Sequence, residues 1–340
     1  MTLPSSPSAR TFTVCVPSYN AERVIGETLR SLVRQTFEDW ECLVVDDGST
    51  DGTEAIVRSI PDARIRFARN ATNLGCAGNF QRCRDLATGK FIYFLANDDI
   101  IAPHALERTL QAFEEHPDAG VVTRPYYWFR DDAPDVPVRR TKPLDPVRDR
   151  VITTSDDPDS FRMLLDVLGQ VSGLAFRNSA LKHPFNAQVW TTHIEPFLAT
   201  LKEHPGVFMH DYLLAVRTEH SQARRLPKIY DPSPLWCWID MFERLYPDPQ
   251  WSAQRKVGID FLASRVEGLV QLRCHSTLQR FIREAWLYLR FRPANAASAR
   301  YWFFALGCLC MPPRLLRKFV DWCLPRVTSA QRLDLAPIGR

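Results

Sequence analysis

The 340-residue chain lacks several features that would decide its class at once. It has no run of about 18 apolar residues, which argues against a membrane-spanning helix. The longest apolar candidate, Tyr301 to Met311, is far shorter. The opening MTLPSSPSAR has no apolar core of the kind a signal peptide needs. The nine cysteines (15, 42, 76, 83, 237, 274, 308, 310 and 323) form no CxxC pair and no zinc spacing with histidine. Several sit inside apolar runs such as Thr13-Val14-Cys15-Val16, as expected of buried free thiols in a reducing cytosol. There is no internal repeat, and no recognised nucleic-acid module accompanies the basic residues, so nucleic acid is not an expected partner.

What remains is an ordinary globular composition, 45% hydrophobic and 24% charged, long enough for one large α/β domain and an appendage. The net charge of +4 hides an asymmetry: Gln271 to Arg340 holds 12 Lys/Arg against 3 Asp/Glu, so the body is mildly acidic and the tail basic. Such a tail suits an anionic partner such as a phospholipid surface.

Five apolar segments read as buried strands: Phe12–Pro17, Trp40–Val45, Ile65–Arg69, Phe91–Ala96 and Gly120–Arg124. Amphipathic patterns over Ala21–Gln35, Asp51–Ile60, Ala77–Ala87 and Pro103–Glu115 alternate with them. Near-continuous apolar strands alternating with helices predict a parallel sheet covered on both faces. Residues 130–158, with five prolines and little periodicity, read as a long surface loop. A helix over Ser160–Gln170, a strand over Ser172–Phe176, a helix over Thr192–Lys202 and a strand over Val207–Val216 follow. Beyond Tyr230 only helices are expected. The pattern predicts a catalytic domain over 1–230 and a helical, basic, amphipathic region over 231–340.

The chemistry collects at strand ends, where ligands of open parallel sheets bind. The first strand ends Pro17-Ser18-Tyr19-Asn20. The second ends Asp46-Asp47-Gly48-Ser49-Thr50-Asp51-Gly52. The fourth runs FIYFLA into Asn97-Asp98-Asp99. A lone Asp at such a place is commonly a helix cap. Two acidic pairs on strands sharing an edge repel one another, and a divalent cation removes that cost. Hard cations such as Mg²⁺ are bound by one or two carboxylates plus substrate phosphates.

The ordered set VPSYN, VVDDGSTDGT, NxGxAGN from Asn73 to Asn79, and an acidic pair after an apolar strand resembles the family-2 glycosyltransferases of bacterial polysaccharide and lipopolysaccharide type. The resemblance covers Phe12 to Ser221. It implies a GT-A fold, Rossmann-like, with a mostly parallel sheet, and inverting transfer of a sugar from a nucleotide-diphosphate donor. By the same resemblance Pro17, Tyr19, Asn20, Asn73 and Gly75 line the nucleotide site, and Asp47 with Asp46 contacts base or ribose. Asp99 is the main ligand of Mg²⁺ or Mn²⁺, and Asp98 contacts ribose, donor sugar or a metal-bound water. Arg217 clamps a phosphate, and His220 touches metal or diphosphate. UDP or dTDP is the donor nucleotide favoured by analogy. One departure stands out: many members carry Asp-x-Asp-Asp where this chain has Ala96-Asn97-Asp98-Asp99.

In relatives the general base is usually the Asp of a Glu-Asp pair opening a helix. Here that helix reads Thr191-Thr192-His193-Ile194-Glu195-Pro196, without the pair. His193 falls nearest the Asp position and Glu195 is its rival. The lost acid and the missing pair leave room for a catalytically silent sugar-nucleotide-binding or scaffold protein of the same fold. A phosphoacceptor receiver domain fits poorly, because its acidic pair belongs on the first strand and its Lys after the fifth. Tyr301–Leu306 and Pro312–Val320 mix aromatic and basic character, as in a helix lying in a membrane interface, or in a helical subdomain packed on itself. Family and tail together imply a glycan or polyprenyl-diphosphate-linked acceptor at the inner face of the cytoplasmic membrane.

Overall fold

The computed structural model describes residues 10–131, 136–155, 157–185, 188, 190–218, 230 and 233–319. These fall into two compact units. The first holds the described residues of Met1–Asp156 and Met163–Thr218, the second those of Asp157–Arg162 and Glu219–Gln331. The expected boundary, between residues 230 and 231, borders stretches outside the described residues.

In the first unit, β1 (Phe12–Ser18), β2 (Trp40–Asp46), β3 (Ile65–Arg69) and β4 (Phe91–Phe94) are joined by α1 (Ile25–Val33), α2 (Thr53–Arg58) and α3 (Gly75–Leu86). β5 (Ile100–Ile101), α4 (Ala105–Glu115), β6 (Val121–Thr123), β7 (Tyr127–Phe129), β8 (Arg139–Arg140) and β9 (Arg150–Ile152) follow. Then come α5 (Pro158–Val167), β10 (Ala175–Arg177), α6 (Ile194–Glu203), β11 (Gly206–Phe208) and β12 (Leu214–Arg217). An eight-stranded sheet has the order β3-β2-β1-β4-β10-β6-β11-β9. β1, β2, β3 and β4 run parallel, as do β6 and β11, whereas β10 and β9 are antiparallel to their neighbours.

The central strands owe their place to composition. FTVCVPS and FIYF are buried almost throughout, and every residue of WECLVVD is buried, so neither face of this part of the sheet meets water. α1 buries Ile25, Leu29 and Leu32 at helical spacing. It begins four residues later than the periodicity suggests, because Asn20 adopts a left-handed φ of 48° and Ala21 donates its N–H to Thr53 Oγ1 (2.8 Å). That ties the turn down before the helix starts.

Two expectations fail for topological reasons. The 130–158 loop is not structureless: it supplies β8 and β9, the latter closing the sheet edge beside β11. Val207–Val216 is not one strand. The chain turns between β11 and β12, and β12 joins a separate four-stranded sheet of order β5-β12-β7-β8. That small sheet pairs Leu214 with Ile101 and Ala215 with Ile100, so the strand ending in Arg217 is fastened to the residues just after Asp98-Asp99.

The second unit is helical. α7 (Pro234–Leu245), α8 (Ser252–Ala263), α9 (Gly268–His275), α10 (Leu278–Phe291) and α11 (Ala299–Cys310) precede a last helix over 313–319. Ser233 caps α7, with Pro234 in its first turn, and buried Glu284 of α10 accepts from Ser233 Oγ and from Leu235 N (2.8 Å). Leu278, Ile282 and Trp286 lie on the outer face of α10 at steps of four, and α11 exposes Trp302, Phe303, Leu306 and Leu309. Among the described residues no helix is long and apolar enough to cross a membrane. The eight described cysteines are free thiols; six are buried, Cys76 and Cys310 are exposed, and Cys323 lies outside the described residues.

Candidate functional site

Parallel pairing carries three polar strand ends to one edge. Ser18 of β1 is in register with Asp46 of β2, and Cys15 with Phe94 of β4. The turns beyond these strands are laced together. Asn20 donates its N–H to Ser49 Oγ (2.8 Å), and its Oδ1 accepts from Thr50 N (2.9 Å). Pro17 is partly exposed and the Tyr19 side chain is exposed beside them.

The two acids of the second strand divide their labour. Asp46 is fully buried; its carboxylate accepts from Ser49 N (3.0 Å) and Ser49 Oγ, with Arg69 at 3.7 Å. These bonds shape its own turn. Asp47, also buried, accepts through Oδ1 from Asn70 Nδ2 and Leu74 N (both 2.8 Å). Asn73 completes the arrangement, with Nδ2 on the Asp47 carbonyl (3.0 Å) and Oδ1 receiving Gly75 N (3.0 Å). Gly75 has φ +73°, open to glycine and strained for other residues, and a side chain there would meet nothing but open space. These bonds hold the loop over the edge, and of the Asp47 carboxylate only Oδ1 is engaged among the described residues.

Asp98 and Asp99 differ more sharply. Asp99 is 1% exposed. Its Oδ2 accepts from Ser172 Oγ (2.5 Å) and its Oδ1 from Arg217 N (3.0 Å). Burial pushes its carboxyl up to about 6, opposed by the Ser172 and Arg217 bonds and the Arg124 and Arg217 charges. Asp98 stays partly exposed. Asp99, expected as the main metal ligand, is enclosed with both oxygens engaged, and Asp98 is the more exposed carboxylate of the pair.

Arg217, expected to clamp a phosphate, lies among acidic partners in the structure. Its side chain is 4% exposed and fully committed: Nε donates to the Asp98 carbonyl (2.9 Å), Nη2 to Glu27 (2.5 Å) and Nη1 to Asp131, while its guanidinium lies 4.8 Å from the Phe129 ring centre. It braces the acidic turn from behind. His220 lies outside the described residues.

His193 caps the start of α6, half-buried, with its ring 6.5 Å from that of Phe80. Its Nε2 lies 2.9 Å from the Leu168 carbonyl. A carbonyl only accepts, so Nε2 carries the proton and Nδ1 keeps the lone pair. Burial pushes the imidazole down to about 4, partly offset by that bond and reinforced by Arg124, so it is neutral at physiological pH. Glu195, half-buried, stands in the first turn of α6.

Among the described residues, one group of three side chains has metal-like spacing: Asp149, His210 and Asp211. Arg108 already bridges Asp149 (3.2 Å) and Asp211 (2.9 Å), and His210 Nδ1 is 2.6 Å from Asp149. Arg108 therefore offsets part of the negative charge of the two carboxylates. At the acidic edge, the chemistry fits a hard cation held by an exposed carboxylate and by ligand phosphates. Sequence reasoning passed over Ser172, Glu27, Asp131 and the buried Arg124. For Arg124 a signal existed, since a cation at the end of an interior strand is rarely left there without reason.

A parallel half-sheet with acidic turns at neighbouring strand ends, closed by a mixed half-sheet and a helix opening near His193, defines a GT-A domain. Residues 13–174 match the family model "Glycosyl transferase family 2", and the domain they build belongs to that family. Among curated relatives, the UDP-Glc:alpha-D-GlcNAc-diphosphoundecaprenol beta-1,3-glucosyltransferase WfgD of Escherichia coli is 40% identical over 94 residues, 28% of this chain and 37% of that protein. The GalNAc(5)-diNAcBac-PP-undecaprenol beta-1,3-glucosyltransferase of Campylobacter jejuni is 33% identical over 105 residues, 30% of this chain and 34% of that protein. The chain thus matches less than half the length of these relatives. Among solved structures, S. aureus TarS 1-349 in complex with UDP-GlcNAc superposes with a TM-score of 0.62 at 16% identity, over 93% of this chain and 92% of that one. The mannosyltransferase PcManGT of Pyrobaculum calidifontis, in complex with GDP-Man and Mn²⁺, gives 0.52 at 16% identity, over 92% and 87%. At such identities these structures speak for the shared fold.

Proposed function

We propose that the chain is an inverting glycosyltransferase that moves a sugar from a UDP or dTDP donor to a hydroxyl of a glycan or polyprenyl-diphosphate-linked acceptor, assisted by Mg²⁺ or Mn²⁺. The observation that carries this reading is the convergence of Asp47, Asp98 and the Asn73–Gly75 loop on one sheet edge within a family-2 domain. The E. coli and C. jejuni relatives are named for glucosyl transfer to undecaprenol-linked glycans, and the TarS complex holds UDP-GlcNAc, which favours a uridine donor and a lipid-linked acceptor.

In this mechanism Pro17, Tyr19, Asn20, Asp47, Asn73 and Gly75 receive base and ribose. Asp98 would hold the metal, and Asp99 would stand behind it as a positioning residue. The metal, when bound, offsets charge developing on the departing diphosphate. His193 takes the acceptor proton on Nδ1, the nitrogen that the Leu168 carbonyl leaves unprotonated. Burial keeps it neutral at pH 7, so the Nδ1 lone pair is free of a proton, though on a weaker base than an exposed imidazole. His193→Ala is expected to retain donor binding and to lower kcat about 10²-fold, with Glu195→Gln near wild type. Single-turnover rates and UDP titrations check both, and the reverse pattern moves the base to Glu195.

The exposed Leu278-Ile282-Trp286 stripe and the aromatic face of α11, with Arg283, Arg290, Arg314, Arg317 and Lys318 nearby in sequence, support peripheral docking of the helical unit on an anionic leaflet. Trp286→Glu with Phe303→Glu is expected to abolish flotation with phosphatidylglycerol vesicles.

The test of the activity is a panel of sugar nucleotides with and without Mn²⁺, read by transfer to an undecaprenyl-linked glycan and by thermal shift. Stabilisation without any transfer or hydrolysis would favour the silent sugar-nucleotide-binding alternative, and no stabilisation would remove both.

A further inference from the structure

Arg124 follows β6 directly and is 1% exposed. All three of its side-chain nitrogens, Nε, Nη1 and Nη2, are buried without a hydrogen-bond partner among the described residues. A guanidinium has five donors in a fixed fork, and an enclosed one is ordinarily matched by a carboxylate, phosphate or carbonyls. Here the surroundings are aromatic. The Tyr126 ring centre lies 5.2 Å from the guanidinium carbon, and buried Tyr93 and Asp99 act on it only through their fields. The local backbone leaves room for it: Gly173 adopts φ +78°, and a Cβ there would sit 2.3 Å from Arg124 Nε. Glycine at 173 therefore preserves the space that the cation occupies.

The position is specific. In the sheet order, β10 separates β6 from β4, so Arg124 stands two strand spacings, roughly 10 Å, from the Asp98 strand. It lies on the side away from β1 and β2. The start of the β10 segment links the two places: Ser172 Oγ donates to Asp99, and Gly173 N donates to the Phe94 carbonyl (2.7 Å). Arg124 also lies within electrostatic reach of His193. Thr191 Oγ1, two residues before His193, is likewise buried without a partner among the described residues.

We propose that Arg124 is an anion-recognising residue on the acceptor side of the site, reading an oxyanion, a carboxylate or a phosphate, borne by the acceptor or the transferred sugar next to the reacting hydroxyl. Its five donors match such a group in a planar, bidentate manner that a neutral hydroxyl cannot supply. The placement beside the base rests on the glycosyltransferase reading, whereas the unpaired buried cation does not.

A site built for a ligand is under strain without it, so the two roles open to Arg124 have opposite signatures. Thermal melts of wild type, Arg124→Met and Arg124→Gln are measured alone, with saturating UDP and Mg²⁺, and then with glucuronate, glucose 6-phosphate or glucose added at about 10 mM. If the proposal holds, both variants melt at or above the wild-type temperature when ligand-free, and UDP–Mg²⁺ stabilises all three proteins equally. Glucuronate or glucose 6-phosphate then adds about 2 °C or more to wild type alone, and glucose adds nothing. The anion that acts tells carboxylate from phosphate. Lower ligand-free melting of both variants would make Arg124 structural and overturn the proposal. So would anion shifts that are absent from wild type or shared by the variants. Loss of UDP–Mg²⁺ stabilisation in the variants alone would give the guanidinium to the donor diphosphate and equally overturn it. Failure of UDP–Mg²⁺ to stabilise any of the three proteins would strike at the proposed activity instead, and the anion shifts would still decide the role of Arg124.

Discussion

Replacing Asp98 by Ala is expected to lower sugar transfer by about 10³-fold or more and to erase its dependence on Mg²⁺ or Mn²⁺, while the melting temperature stays near wild type. The reasoning is geometric. Asp98 is the partly exposed member of the pair, and its side chain is not the one that Ser172 and Arg217 enclose. Asp99→Asn, by contrast, keeps an acceptor for Arg217 N and can donate to Ser172 Oγ, so its loss of activity is expected to be at least tenfold smaller. Metal titrations of transfer rate, run on both variants, decide the matter. A metal-dependent Asp98→Ala enzyme alongside a dead, metal-blind Asp99→Asn would return the ligand role to Asp99.

The second large effect falls on stability. Arg217→Met removes the buried cation that ties Glu27 of α1, Asp131 and the Asp98 carbonyl to β12. Taking one partner from a buried ion pair typically costs 3–5 kcal/mol. Glu27 and Asp131 are about half exposed and can rehydrate, so about 2–3 kcal/mol is expected here. The loss also has a pH signature. The folded-state pKa of Asp99 is raised to about 6 from an ordinary value of 3.8. Between those values the unfolded chain gives up the proton first, so this group costs stability as pH rises from about 4 to about 6, and the cost is complete above that. Arg217 attracts the ionised form of Asp99. Its removal therefore hurts more at pH 7.5 than at pH 5. Urea melts at the two pH values test this, and a destabilisation equal at both would mean that Asp99 does not feel Arg217.

Much of the first half of the molecule was legible because its elements are decided locally. β1, β2 and β4 are apolar runs that only an interior strand can accommodate, and all three lie where periodicity and turn residues put them. The helices between them begin and end within a few residues of their patterns. The second half was less legible for a physical reason. β9, β10, β11 and β12 are three or four residues long, and their pairing partners are distant in the chain: Gly206 with Ile152, Leu214 with Ile101. Propensity does not reveal which remote segment completes so short a strand, or that the chain switches sheets after Phe208.

The same distinction runs through the site. Sequence alone determined its chemistry: clustered acids after apolar strands, an asparagine–glycine loop, and a histidine where an acidic pair is missing, because these depend on residue type and order. Which acid faces outward was decided by tertiary structure. Asp98 and Asp99 are adjacent and identical in kind, and they part company only because β10 brings Ser172, and β12 brings Arg217, against one of them. Arg124 was decided in the same way. Its place at the end of an interior strand and the nearby Tyr126 are visible in the sequence, but the rest of its environment is not, since Tyr93, Gly173 and His193 meet it only when the sheet closes.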